Sequence, residues 1–168
     1  MWSFDEFLQE GHKGNSFKDK QFIVQNKKMD TDVYLLRRKV MDFIYRAKKL
    51  TNDTLPRITI RISDITLQDL LKKDHKILGL ASMGECVIWI PECTFKDGYD
   101  LQGITYHEIL HSVFSIPHID ESPLMKPHVN NNDLRTPEIW DEIFLSHIET
   151  PDKTEWKKKY SKKYKKLI

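Results

Sequence analysis

The stretch that most constrains this chain is His107-Glu108-Ile109-Leu110-His111, followed by His118 and Met125. Two histidines four residues apart share a face only on a helix, where one sits a turn above the other. The segment must therefore be helical. The chain must also return soon afterwards if His118 is to join them. Three imidazoles with one position left open are the donor set of a catalytic zinc rather than a structural one. Glu108, beside the first histidine, sits where it can take a proton from a metal-bound water. The competing reading is an amphipathic helix with two surface histidines. It leaves His118 and Met125 as coincidences.

Composition sets the frame for that site. The chain has 168 residues, enough for one domain with a sizeable core. Net charge is +2, but seven lysines between Lys157 and Lys166 leave −5 for the remainder. The body is thus mildly acidic and the end basic. A main domain is expected over 1–150, with a Lys-rich helical tail over 151–168. The opening Met1-Trp2-Ser3-Phe4-Asp5-Glu6 lacks the basic start and apolar run of a secretory signal. No window approaches the ~20 apolar residues of a membrane span. Cys86 and Cys93 do not make a disulfide framework and read as free thiols in a reducing compartment. The expectation is a cytoplasmic protein, or one released without a signal. Lysine outnumbers arginine 21 to 6, in keeping with an AT-rich bacterial or viral genome, a phage included.

Periodicity gives the order of elements. Trp2, Phe4, Phe7 and Leu8 suit a short helix, Gly11–Asn15 a turn and Gln21–Gln25 a strand. From Thr31 to Lys49 apolar residues recur at helical spacing. Arg57–Ile62 alternates as a half-buried strand does. Thr66–Lys73 suits one or two helical turns, Cys86–Ile90 a strand and Asp97-Gly98 a turn. The histidine helix should run from about Tyr99 to Phe114, stopped by Pro117. Thr136-Pro137 starts another helix, with a cap residue and proline at the first position. A last helix begins near Thr154. The fold class is α+β.

The segment His118-Ile-Asp-Glu-Ser-Pro-Leu-Met125-Lys-Pro127 resembles the third-ligand loop and Met-turn of the matrixins, within the metzincin clan of zinc metallopeptidases. Gly79-Leu80-Ala81 and the strand after it are similar to the segment leading to the edge strand in these folds. Leu134 through Ile143 resembles the start of their C-terminal helix. The likeness covers about Gly79 to Ile143. It implies a twisted mixed sheet, a long backing helix, an active-site helix and a C-terminal helix.

The resemblance also implies roles. His107, His111 and His118 would bind Zn2+. Glu108 would be general base and then general acid. Met125 would pack beneath the metal without ligating it. The strand Glu85–Ile90, with Val87, Ile88 and Trp89, would pair with an extended substrate. Two places depart from the family pattern. Phe114 stands where the family has glycine, and His118 falls seven residues after His111 instead of six. The helix should therefore run slightly longer and turn at Ser115–Pro117. Should the loop fail to reach, Asp120 is the substitute ligand. His128 could replace a tyrosine that some relatives add as a further ligand, although a surface position suits it better. Trp89 and Tyr106 suit the core, while His12, His75 and His147 are expected to face solvent.

Two functions from different classes follow. The first is a zinc-dependent endopeptidase acting on a protein or peptide. The second is a metzincin-like binding or structural module, such as an accessory component of a phage particle, docked through its Lys-rich tail. A thermolysin-like site with Glu138 or Glu142 as third ligand is a weaker variant of the first. Nucleic-acid binding has thin support, a short tail with Tyr160 and Tyr164. No membrane partner is implied.

Overall fold

The apolar residues of Thr31–Leu50 return every three or four positions, so this helix, α1, buries one stripe against a sheet. Leu36, Val40 and Ala47 are fully buried on it. The computed structural model describes residues 31–63, 78–92, 94, 100–127 and 135–168. The elements expected at Trp2–Leu8, Gly11–Asn15, Gln21–Gln25, Thr66–Lys73 and Asp97-Gly98 lie outside the described residues, as do His12, His75, Cys93 and His128. Helix α1 ends where Asn52 and Asp53 turn left-handed, at φ 54° and 61°. Both are residue types that tolerate that region.

Among the described residues the sheet has three strands, in the order β1-β3-β2. Strand β1, Thr59–Ser63, runs parallel to β3, Val87–Pro91, with Thr59 opposite Val87 and Ile62 opposite Ile90. Strand β2, Leu80–Ala81, runs antiparallel on the other side of β3, with Leu80 opposite Trp89 and Ala81 opposite Ile88. Ile60, Ile62, Ile88 and Ile90 form one core layer with Leu36 and Val40 of α1. The architecture is α+β, as the sequence implies.

Helix α2, Leu101–Ser112, is buried along its whole length. It therefore has no solvent stripe, and polar residues on it need internal partners. Tyr106 donates to Asp141 Oδ1 at 2.7 Å, and Gln102 donates to the same oxygen at 3.2 Å. The Arg46 guanidinium of α1 also bonds Asp141. One carboxylate on α3, Pro137–Glu149, thus ties three helices together. Gly103 lets α2 and α3 approach closely, since a Cβ there would lie 2.9 Å from the Trp140 ring. Helix α3 starts as expected, with Thr136 capping and Pro137 in the first turn.

Helix α4, Lys153–Tyr164, is capped by Asp152 and continues into a 3-10 turn over Lys165–Leu167. It is integral to the core, because Trp156 and Tyr164 are buried in the cluster that also holds Tyr106, Ile109 and Phe144. Its lysines point outward, and three reach acidic residues of the body: Lys157 to Glu121, Lys159 to Glu149 and Lys163 to Glu142. Among the described residues no helix is long and apolar enough to cross a membrane.

One expectation is corrected here. His147 does not face solvent; it is fully buried and stacks on Trp156, centroids 4.4 Å apart and planes at 8°. It lies seven residues after Trp140, on the same inward stripe as Ile143 and Phe144. Burial depresses its pKa from 6.5 to about 3. The unfolded chain therefore takes up this proton first as pH falls. The stability is intact above pH 6.5 and is lost progressively between 6.5 and about 3. By linkage His147 should remove about 2 kcal/mol by pH 5. Thermal unfolding of wild type and His147→Phe at pH 7 and 5 checks this. The variant should lose less stability between the two pH values, and equal losses would contradict the assignment.

Candidate metal centre

Asp100 starts the site helix by accepting from the backbone N–H of Gly103, and it also takes the indole N–H of Trp140. From that fixed start His107 and His111 fall one turn apart and face the same side. Both are buried. Their Nε2 atoms are 3.0 Å apart, and His118 Nε2 lies 3.3 Å from that of His107. The three rings surround a common point, with centroids 4.6, 5.2 and 4.7 Å apart. Among the described residues this is the group of three that could hold a metal ion. Asp120, Glu138 and Glu142 are not in it. Asp120 is exposed, and Glu142 instead meets Lys163 and Tyr164.

The outer nitrogens fix the inner ones. His107 Nδ1 lies 2.6 Å from the Leu124 carbonyl oxygen, and His111 Nδ1 lies 2.6 Å from that of Ile116. A carbonyl oxygen only accepts, so each Nδ1 must carry the proton. Each Nε2 is then left with a lone pair directed at the shared centre. Neighbouring lone pairs cannot satisfy one another, but a cation would satisfy them together. Backbone carbonyls behind ligating histidines are the usual device that sets this tautomer.

Electrostatics point the same way. Burial, then His111 and His118, holds His107 well below its ordinary pKa. Burial, then His118, brings His111 to about 4. Both rings are therefore neutral at pH 7, the form in which an imidazole can bind a metal. Glu108 is 3% exposed, and burial alone pushes its carboxyl up to about 8. Its Oε2 has no hydrogen-bond partner, while Oε1 lies 3.9 Å from His107 Nε2. A divalent cation at the imidazoles would supply the missing opposite charge and favour the carboxylate. The residues present fit a metal.

One turn brings the chain from His111 back to His118. Helix α2 ends at Ser112, and Ser115 adopts φ +55°. The Ser115 N–H returns to the His111 carbonyl, an αL ending with serine in the place glycine usually takes. The left-handed residue is Ser115, and Phe114 keeps its ring against the core. Beyond it, Ile119 N–H bonds the Met125 carbonyl at 2.9 Å, closing the loop that carries His118. Met125 is fully buried in the core that also holds Leu110 and Ile116. Ser115→Gly should leave thermal stability at or above wild type, whereas Ser115→Val should cost about 1–2 kcal/mol. A valine variant as stable as wild type would remove the need for this turn.

The expected substrate strand needs correction. Strand β3 is central among the described residues, because β2 occupies the backbone edge at Ile88 and Trp89. Ile88 and Trp89 are buried and Val87 is half-buried, so none of the three lies on an edge strand. Among the described residues the sheet edge nearest the site is β2. Gly79, just before it, packs on Glu108: a Cβ there would lie 3.0 Å from Glu108 Cγ and 3.1 Å from Oε1. Gly79 was legible only as part of a family-like string. Ser122 and His147, which back the loop, were missed because their pairing spans 25 residues.

No family model matches the chain, and no curated protein or solved structure matches it.

Proposed function

We propose that this chain is a zinc-dependent endopeptidase of metzincin type, with His107, His111 and His118 as ligands and Glu108 as general base. One observation carries the reading: three imidazole Nε2 atoms converge beside a buried carboxyl group whose Oε2 has no hydrogen-bond partner, and two of them are fixed from behind by backbone carbonyls. Zinc suits three nitrogen donors with an open position, although other divalent metals accept imidazole as well. Bound there, it would supply Lewis acidity and lower the pKa of a coordinated water toward ~7.

The chain's own residues do the rest. Glu108 takes the proton from the attacking water and hands it to the departing amine. Burial raises the pKa of this carboxyl and a cation at the imidazoles would lower it again, so a proton can be both accepted and released there. Gly79 leaves room for that carboxyl to stand. Met125 packs the loop from the core side. An extended peptide would pair along the outer edge of β2, the edge nearest Glu108, by β-augmentation.

The binding-module reading is less well supported. Burying a carboxyl group with one oxygen unsatisfied is destabilising, and a module that only binds gains nothing from it. The test is a set of quenched-fluorescent peptides with zinc added and chelated. Zinc-dependent cleavage supports the peptidase. A chain that binds zinc but cleaves none of a broad peptide set, nor a denatured protein, would favour the module.

A further inference from the structure

Helix α3 carries a buried histidine for which the proposed chemistry has no use. His147 Nε2 lies 2.7 Å from Ser122 Oγ. That oxygen already accepts the backbone N–H groups of Leu124, at 3.2 Å, and Met125, at 3.0 Å. With both lone pairs engaged, the Ser122 hydroxyl has its own proton left to give, and His147 Nε2 is placed to receive it. The ring proton then sits on Nδ1, which is buried with no hydrogen-bond partner.

Packing alone does not explain this choice. A phenyl ring would stack on Trp156 equally well and bury no unpaired donor. What histidine adds is an acceptor at Nε2. That acceptor orients Ser122, and Ser122 holds the Leu124–Met125 peptide by accepting the Met125 N–H. The Leu124 carbonyl in turn receives the Nδ1 proton of His107 at 2.6 Å.

We infer that Ser122 and His147 are a positioning pair that sets the Leu124 carbonyl behind His107 and so aims its Nε2 at the metal. The inference rests on the metal-centre reading above. Neither residue is a ligand or a catalytic residue; both act through the loop. The pair also makes α3 part of the site, although α3 contributes no ligand.

The experiment is zinc affinity of the full chain, by competition with a fluorescent chelator, alongside thermal stability. Ser122→Ala and His147→Phe should each weaken zinc about 10–100-fold, the usual effect of losing a residue behind a ligand. Ser122→Thr, which keeps the hydroxyl, should stay near wild type. The double variant should be little weaker than either single one, because both break the same chain of bonds. Trp156→Phe is the control: it should lower stability and leave affinity unchanged. Wild-type affinity in both Ser122→Ala and His147→Phe would overturn the pair while sparing the metal centre. A wild type that takes up no zinc would overturn the metal centre and the pair with it. Imidazole 15N shifts in the unmutated protein decide the matter even if a variant fails to fold. The protons should be found on Nδ1 of both His107 and His147, and a proton on His147 Nε2 would overturn the inference.

Discussion

Glu108→Gln is expected to bind one zinc per chain and to lose peptide hydrolysis by roughly 10³-fold or more. The amide keeps the size of the side chain and its fit against Gly79 but cannot accept the proton. The ligand set is untouched, because Glu108 lies beside the three nitrogens and is not one of them. Loss of turnover with zinc retained would separate the base from the ligands. The reverse pattern, turnover kept in Glu108→Gln, would remove Glu108 from the chemistry. Loss of zinc would instead place the carboxylate among the ligands. Metal analysis and peptide cleavage on the same preparation distinguish these outcomes.

The second large effect is on stability. A ligand that binds only the folded chain stabilises it by mass action. At ~1,000 times Kd the gain is about 4 kcal/mol. For a chain of this size that corresponds to a Tm increase of roughly 8–16 °C. Tight binding is expected because two of the three histidines are buried on α2 and fixed from behind, so little ordering is left to the metal. His107→Ala should lose most of the increase, since it removes a ligand and strands the Leu124 carbonyl. Differential scanning fluorimetry with zinc, and with zinc plus chelator, reads this directly. An equal increase in wild type and His107→Ala would mean that zinc stabilises from somewhere else.

The sequence made some elements plain and hid others, for physical reasons. Helix α1 was visible because its apolar period is regular, and α3 because Thr136-Pro137 is a strong start signal. The three histidines were legible because a helix and one short loop bring them together, so their juxtaposition is local in the chain. The turn at Ser115 falls within the expected Ser115–Pro117 stretch, where Pro117 bars further helix.

What failed depended on distant contacts. The place of β3 between two neighbours rests on a two-residue strand, Leu80–Ala81, too short to announce itself. The role of α4 in the core was masked by its lysines, although Trp156, Tyr160 and Tyr164 recur at helical spacing and stack on one face. His147 was misread because a titratable residue was assumed to seek water. Its position on the stripe of Trp140, Ile143 and Phe144 was the signal that should have outweighed that assumption.

The most direct measurement is an equilibrium zinc titration of wild type and His118→Ala, purified without added metal. His118 reaches the group by a loop rather than from the helix, so it is the proposed ligand on which the centre stands or falls. The account predicts one zinc per chain in wild type and a sharply weakened site in the variant, by more than the 10–100-fold expected for a residue behind a ligand. Equal affinity in the two proteins, or no zinc uptake by wild type, would contradict it.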